Sequence, residues 1–318
     1  MNKKLLLISL FSFLLLGCGG PSNVKPELLT TMSRVAIVTA TLEKVGQGEN
    51  NDLIQSQAAE YAAKAYREKL SAIPGWNIVK LPNQTALAEN FTDLASSKVA
   101  TDVLVALAEQ DQLPGKVNGM LMAQLTMAAL RGNADDLESL KKKAISGAVN
   151  QLQFDIDQGR KKIAWSKDTI GIPSYSANRD EKMRHTYSII RDRILEAYRV
   201  ENNLDGIVLI HQVSAVGSPG DMRVIVQGNR ILSSLKLNPS ITILSSNSEL
   251  AYSAGSSNLD DLAPMKFAVP IYVNDKSNQK HSLNLNDPKG DTLSGYKELI
   301  DDTSDDIKET LLESITTK

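Results

Sequence analysis

Few residues of this chain have the types and spacings that catalysis or metal binding requires. The three histidines, His185, His211 and His281, are far apart in sequence, and no His-Glu-x-x-His motif occurs. His211 lies in an apolar segment, which favours a hydrogen-bonded core residue over a metal ligand or a general base. Neither a Gly-x-Ser-x-Gly turn nor a Gly-x-x-x-x-Gly-Lys loop is present. The sequence therefore predicts no catalytic residue, no metal site and no cofactor.

Two further patterns are weaker candidates for chemistry. The Ser-x-x-Lys matches at 233–236 and 294–297 lack the companion motifs of serine acyl enzymes, so we interpret them as chance matches. The acidic run 301–306 suggests a calcium loop, but its sixth position is Asp306 where such a loop needs glycine. Acidic residues stabilise the first turn of a helix, and Thr303 with Asp306 matches a capping pair. We therefore interpret the acidic run as the start of a helix.

Composition indicates an ordinary globular protein. The chain has 318 residues, of which 42% are hydrophobic and 23% are charged. Lys and Arg number 35 against 37 Asp and Glu, so the net charge is -2 and nothing favours binding to a nucleic-acid backbone. A single cysteine excludes an intramolecular disulfide bond.

The N-terminus has the pattern of an export signal. Lys3 and Lys4 precede an apolar run over 5–16, which is too short to span a bilayer as a helix. A short cationic segment followed by an apolar run of this length is typical of a secretory signal peptide. The sequence therefore predicts a signal peptide over 1–17, directly before Cys18.

The residues around the cysteine resemble the lipobox of bacterial lipoproteins. Leu15, Leu16, Gly17 and Cys18 read Leu-Leu-Gly-Cys, with Leu16 at a position where a smaller residue is commoner. The resemblance implies that the first three are recognition positions for cleavage, and that Cys18 is acylated on its thiol and on its new amine. Several acyl chains give stable membrane anchoring where one would be marginal. Gly19, in place of the aspartate that retains lipoproteins at the inner membrane, implies the outer membrane, facing the periplasm.

The mature chain starts with a predicted tether over 18–33, rich in Gly, Pro and Ser. A β-branched apolar segment over 34–41 predicts a strand buried on both faces. A helix over 53–72 and a short strand over 76–81 follow. Together they predict a strand–helix–strand unit over 34–84, which is normally a parallel crossover.

The rest of the chain predicts more helices and strands of an α/β domain. Residues 85–165 are helical by pattern and form a predicted insertion, in which 120–130 is almost entirely apolar. We interpret 120–130 as a fully buried helix; the alternative is a membrane-inserting or pore-forming segment, although the run is too short to span a bilayer. Residues 166–318 complete the domain with a helix over 180–202 and a final helix near 293–316. The strands predicted there are 206–216, 222–231, 233–246, 248–254 and an edge strand over 266–273. The fold class predicted is α/β, a mixed sheet with flanking helices and a helical insertion.

Three segments carry a second resemblance. These are Val-Ala-Ile-Val within 34–41, Gly-Trp-Asn-Ile-Val over 75–79, and Asp-Gly-Ile-Val-Leu-Ile over 205–210. In order and spacing they resemble the fold shared by the curli-secretion channel lipoprotein, lipoprotein activators of peptidoglycan synthases and the N-terminal domain of the Tol propeller protein. The helical stretch 85–165 departs from that pattern and argues against channel formation.

These observations predict an outer-membrane-anchored periplasmic lipoprotein that acts as a non-enzymatic scaffold or partner-binding module in envelope assembly or secretion. The expected partners are the membrane, through the lipid anchor on Cys18, and envelope proteins, but not nucleic acid. The sequence leaves open whether the chain forms a homo-oligomer. It also leaves two alternatives: a lipid-anchored periplasmic enzyme with a dispersed site acting on cell-wall or small substrates, and a ligand-binding transport lipoprotein.

Overall fold

The computed structural model describes residues 23–44, 49–110, 119–132, 134–174, 181–216, 225–227, 230–233, 235–245, 249–254, 271–274 and 291–316. The described helices are α1 (Pro26–Thr31), α2 (Glu49–Leu70), α3 (Gln84–Thr92), α4 (Lys98–Glu109), α5 (Gly119–Arg131), α6 (Ala134–Lys161), α7 (Glu181–Glu201) and α8 (Asp291–Thr316). The described strands are β1 (Asn23–Val24), β2 (Arg34–Glu43), β3 (Asn77–Val79), β4 (Ile163–Trp165), β5 (Gly206–Val216), β6 (Ile225–Gln227), β7 (Arg230–Ser233), β8 (Leu235–Leu244), β9 (Leu250–Ala254) and β10 (Ile271–Asn274).

Seven of the described strands form one mixed sheet. Their order is β1-β9-β8-β5-β2-β3, and β4 pairs with β2 near its carboxyl end. β2 runs parallel to β3 and to β5, while β5, β8, β9 and β1 are joined in antiparallel pairs. This arrangement confirms the predicted α/β class with a mixed sheet. It also confirms that β2, α2 and β3 form a strand–helix–strand unit with parallel strands.

Helices cover both faces of the sheet, and each face has its own apolar core. Helices α1, α2 and α8 pack on one face, through side chains such as Leu29, Tyr66 and Tyr296. Helices α3, α4, α6 and α7 pack on the other, through side chains such as Phe91 and Leu152. The predicted helical insertion therefore supplies most of one helical layer of a three-layer α/β/α domain. The central strand β2 is buried from residue 35 to residue 42, which agrees with its largely apolar, β-branched sequence.

The residues predicted as a tether are structured from residue 23 onward, so the tether prediction over 18–33 is wrong for 23–33. β1 pairs with β9, and Leu29 of α1 is fully buried in the core. The indole nitrogen of Trp76 donates a hydrogen bond to the Leu29 carbonyl at 3.0 Å. Pro26 is one of the prolines on which the tether prediction rested, but it lies in the first turn of α1, where proline is favoured.

Helix α5 contradicts the prediction that 120–130 is fully buried. Among its described side chains only Ala128 is buried, whereas Met127 is 49% exposed and Leu130 is 77% exposed. The helix packs mainly on α6, so a single neighbour covers it although its sequence is apolar all round. None of the described helices has the length and apolarity to cross a membrane.

The C-terminal strands and helix depart from the sequence predictions in two places. β6, β7 and β10 form a separate three-stranded antiparallel sheet, in which β10 is an edge strand as predicted. The acidic run lies in the middle of α8, so the prediction that Thr303 caps a helix is wrong. Instead, its carboxylates join α8 to α2: Asp301 accepts from the Tyr61 hydroxyl at 2.8 Å, and Asp305 pairs with Lys69 at 2.6 Å.

Candidate functional site

A cavity of about 420 Å³ lies at the carboxyl ends of the parallel strands β2 and β5. From β2 the chain passes through α2 to β3 on one side, whereas β5 lies on the other side of β2 and is entered from α7. The strand order therefore changes direction at β2, and the helices α2 and α7 of the two sides cover opposite faces of the sheet. Ligands of open α/β sheets bind in such a crevice, at the switch in strand order. The cavity is therefore the candidate functional site.

A β-bulge in β2 turns polar side chains toward this cavity. The register between β2 and β5 shifts between Ile37 and Thr39. Before the bulge the odd-numbered apolar residues of β2 face α2 and α8, and after it the even-numbered ones do. Thr41 and Glu43 consequently face α6 and α7 and line the cavity. Bulges beside functional sites commonly redirect side chains in this way.

His211 of β5 places a buried polar group in the cavity. Its Nδ1 lies 2.9 Å from Thr41 Oγ1 on the neighbouring strand. Its Nε2 is buried and has no hydrogen-bond partner among the residues that the structure describes, and the side chain is only 9% exposed. Burial, and after it the positive charge of Arg191, lowers the pKa of His211 to about 3. The imidazole is therefore neutral at pH 7 and can donate or accept one hydrogen bond through Nε2.

Charged groups of both signs also line the cavity. Glu43 ends β2, Lys162 precedes β4, and Asp155 lies on the last turns of α6 and is buried. Burial raises the pKa of the Glu43 carboxyl, and the Lys162 ammonium partly opposes that increase. The backbone amide of Lys44 donates to the Lys162 carbonyl at 2.7 Å, which holds the two chain segments together at this end of the sheet.

Another wall includes Pro173 and Ser174, at the end of the described segment that follows β4. The amide of Ile170 donates to the Val38 carbonyl at 2.8 Å, next to the bulge, which fixes the segment against β2. Farther along, the Pro173 carbonyl accepts from the Tyr187 hydroxyl at 2.7 Å. Gly159 of α6 packs closely against Pro173. A Cβ added at residue 159 would stand only 2.7 Å from the proline Cβ, so this approach requires glycine. The last turns of α6 and this segment can therefore pack closely and leave an apolar surface on the cavity wall.

Among the described residues that the sequence analysis considered, only one lies in the cavity. His211 lies in the cavity and has the predicted hydrogen bond, although its second ring nitrogen is not used. His185 is exposed on α7, and the 294–297 match lies on α8 with Ser294 exposed. Five of the residues considered fall outside the described part of the chain: Leu15, Leu16, Gly17, Cys18 and His281.

Sequence reasoning missed most of the cavity residues, although part of their signal was present. Thr41 and Glu43 interrupt the apolar pattern of β2 at its carboxyl end, and His211 interrupts that of β5. Polar residues at the carboxyl ends of two parallel strands indicate a ligand site once the strands are known to be neighbours. No comparable signal marked Asp155 or Lys162, because their place in the cavity depends on how α6 packs.

Comparison with known proteins gives no further guide to function. No protein-family model, no curated protein and no solved structure matches this chain. Within the described ranges, no three His, Cys, Asp or Glu side chains are grouped so that they could hold a metal ion. The lipobox and the resemblance to envelope lipoproteins therefore remain predictions from sequence.

Proposed function

We propose that this protein is an outer-membrane-anchored periplasmic lipoprotein that acts as a non-enzymatic binding module, with its ligand site in the β2–β5 cavity. The observation that carries the proposal is the position of the cavity at the strand switch point, with a buried imidazole nitrogen left without a partner among the described residues. A buried polar group without a partner costs free energy, which a bound ligand would recover.

The electrostatics of the cavity favour binding over proton transfer. A general acid or base works best when its pKa lies near the working pH. The pKa of His211 is lowered to about 3, so this imidazole is a weak base at neutral pH. Ser294 does not line the cavity, so the Ser-x-x-Lys match over 294–297 supplies no nucleophile there. These features count against the alternative of a lipid-anchored enzyme.

The short distance in sequence between Cys18 and the folded domain supports a location at the membrane surface. β1 starts at Asn23, and a fully extended chain gains at most about 3.5 Å per residue. An acyl anchor on Cys18 would therefore keep β1 within about 20 Å of the lipid surface. The domain would bind its ligand next to the membrane and not at a distance from it.

The anchor gives the first prediction. The change Cys18→Ser removes the acylated thiol, so we expect the protein to move from the membrane fraction to the soluble periplasmic fraction. Leu16→Ala is the matched control, because a small residue is commoner at that position of a lipobox, and this variant should stay in the outer membrane. Cell fractionation with immunoblotting measures both outcomes. If Cys18→Ser protein stayed in the membrane fraction, the anchor proposal would be wrong.

A second candidate function is a scaffold for an envelope protein, favoured by the exposed apolar side chains of α5. Met127 and Leu130 project from a helix for which α6 is the main packing partner among the described elements, and exposed apolar surface of this kind often marks a protein contact. We expect Leu130→Glu to abolish crosslinks between this protein and its partner in the intact envelope. Val105→Glu on α4, also an exposed apolar position, is the control and should retain them. A crosslink only between copies of this chain, seen also as a higher native mass, would replace the scaffold with a homo-oligomer.

A further inference from the structure

The polar groups of the β2–β5 cavity are spread over its walls. Glu43 and Thr41 extend from β2, His211 from β5, and Asp155 from α6. No group of three such acidic or imidazole side chains in the described residues converges on a point that could hold a metal ion. A compact ion would therefore meet few of these groups at once, whereas a molecule with polar groups around its perimeter could reach several.

The charges of the cavity nearly balance and favour an uncharged ligand. Among the residues that the structure describes, two carboxylates, Glu43 and Asp155, line it together with one ammonium, Lys162. An anionic ligand would meet both carboxylates, and a cationic ligand would meet Lys162 and the positive charge of Arg191 behind His211. A neutral molecule avoids both penalties and can still accept or donate hydrogen bonds to the charged side chains.

His211 favours a hydroxyl group as its partner. Nδ1 is already occupied by Thr41, and the tautomer decides whether Nε2 donates or accepts. A hydroxyl can do either, so it satisfies both tautomers of the neutral ring. An ammonium fits only the accepting form, and a carboxylate fits only the donating form. Nε2 has almost no accessible surface, so a hydroxyl that bonds to it must enter the cavity and displace a neighbouring side chain.

The cavity also offers apolar surface beside these polar groups. Pro173, Ile156 and the ring of Tyr187 line it, and Val213 lies at its outer end with 42% of its surface exposed. We propose that the cavity binds a small, uncharged, polyhydroxylated molecule of monosaccharide size, with hydroxyls on the polar side chains and a C–H face on the apolar wall. This inference rests on the proposed binding function and names its ligand class.

The test blocks the outer end of the cavity and compares ligand classes. In Val213→Trp the indole fills that end, and the exposed position should tolerate it. Val200→Trp is the matched control: Val200 is 57% exposed on α7 and about 20 Å along the helix from Tyr187. The full-length acylated protein in mild detergent is mixed separately with D-glucose, ethanolamine, glycine or inorganic phosphate, and saturation-transfer NMR detects bound probe.

We expect D-glucose to give a signal with the wild type and with Val200→Trp, and none with Val213→Trp. That signal should not change between about 20 mM and about 300 mM salt, because only charged ligands depend on screening. If only ethanolamine, glycine or phosphate gave a signal that Val213→Trp removed, the ligand class would be overturned and the binding function would stand. If no probe gave a signal sensitive to Val213→Trp, both the ligand class and the binding function would be contradicted.

Discussion

Acid should destabilise the folded protein through His211 by about 4–5 kcal/mol between pH 7 and pH 3, since each pKa unit corresponds to about 1.4 kcal/mol. The pKa of this imidazole falls from 6.5 to about 3 on folding, because burial and Arg191 disfavour the charged form. Below pH 6.5 the unfolded chain takes up a proton that the folded protein does not. The stability that the neutral ring contributes is therefore complete above pH 6.5 and is lost as the pH falls to about 3.

The measurement is the free energy of unfolding in urea at pH 7.5 and at pH 4.5, for the wild type and for His211→Gln. Glutamine keeps a polar group near Thr41 but does not titrate. We expect the loss of stability between the two pH values to be about 2.5–3 kcal/mol smaller in the variant. Comparing the losses removes the cost of the substitution itself, which is common to both pH values.

His185→Gln is the matched control. His185 lies exposed on α7, so the variant removes a histidine without breaking a buried contact and should keep the acid sensitivity of the wild type. Other groups contribute at low pH as well: hydrogen bonds to Lys69 and Lys308 lower the pKa of Asp305, so its stabilising effect is also lost in acid. That contribution is the same in all three proteins. If the wild type and His211→Gln lost the same stability in acid, His211 would not be a buried, neutral imidazole in the folded protein.

The sequence was sufficient to predict the central strands because their burial requires a simple pattern. β2 and β5 begin as runs of β-branched and aliphatic residues, over 35–40 and 207–210, which is the pattern of strands covered on both faces. The predicted strand over 206–216 has the same bounds as β5, and the predicted crossover gave the parallel pairing of β2 with β3. Apolar content alone was a poorer guide to α5, because burial of a helix depends on how many neighbours it has.

The candidate site could not be predicted because it depends on three features without a local pattern. The bulge near Val38 reverses which residues of β2 face α6, and strict alternation would have placed Thr41 on the other face. The position of Asp155 depends on the packing of α6, and the wall at Pro173 depends on a contact with Gly159. His211 was correctly predicted as hydrogen-bonded and buried, but its unused Nε2 appears only when the neighbouring strand is known.

The same end of the sheet also links the cavity to the opposite core. Next to His211, Gln212 faces the other way and donates to the Tyr66 hydroxyl of α2 at 2.7 Å. The side chains of these adjacent β5 residues therefore differ in role: His211 lies on the α6 and α7 side of the sheet, whereas Gln212, which also lines the cavity, fixes the strand end against α2. A change that loosens the Gln212 contact should weaken the whole fold and not only the site.

Tyr66→Phe should lower the free energy of unfolding by about 1–3 kcal/mol, because it leaves a buried amide N–H without its acceptor. Both partners are almost completely buried, so water cannot replace the lost bond. The phenyl ring keeps the apolar contacts of Tyr66, and the lost stability therefore measures the hydrogen bond with little contribution from packing. Urea denaturation at pH 7.5 gives the free energy, and an unchanged slope with denaturant shows that the same surface is exposed on unfolding.

Tyr296→Phe provides a close matched control. Tyr296 is also fully buried in the core under α2 and α8, but its hydroxyl has no hydrogen-bond partner among the described residues. Removing an unpaired buried hydroxyl costs nothing in hydrogen bonding and relieves a desolvation penalty, so stability should be unchanged or higher. Equal destabilisation by the two substitutions would mean that the Gln212–Tyr66 bond adds nothing beyond packing. Because Tyr296→Phe removes the same atom from the same core, a difference between the variants can come only from the partner that each hydroxyl has.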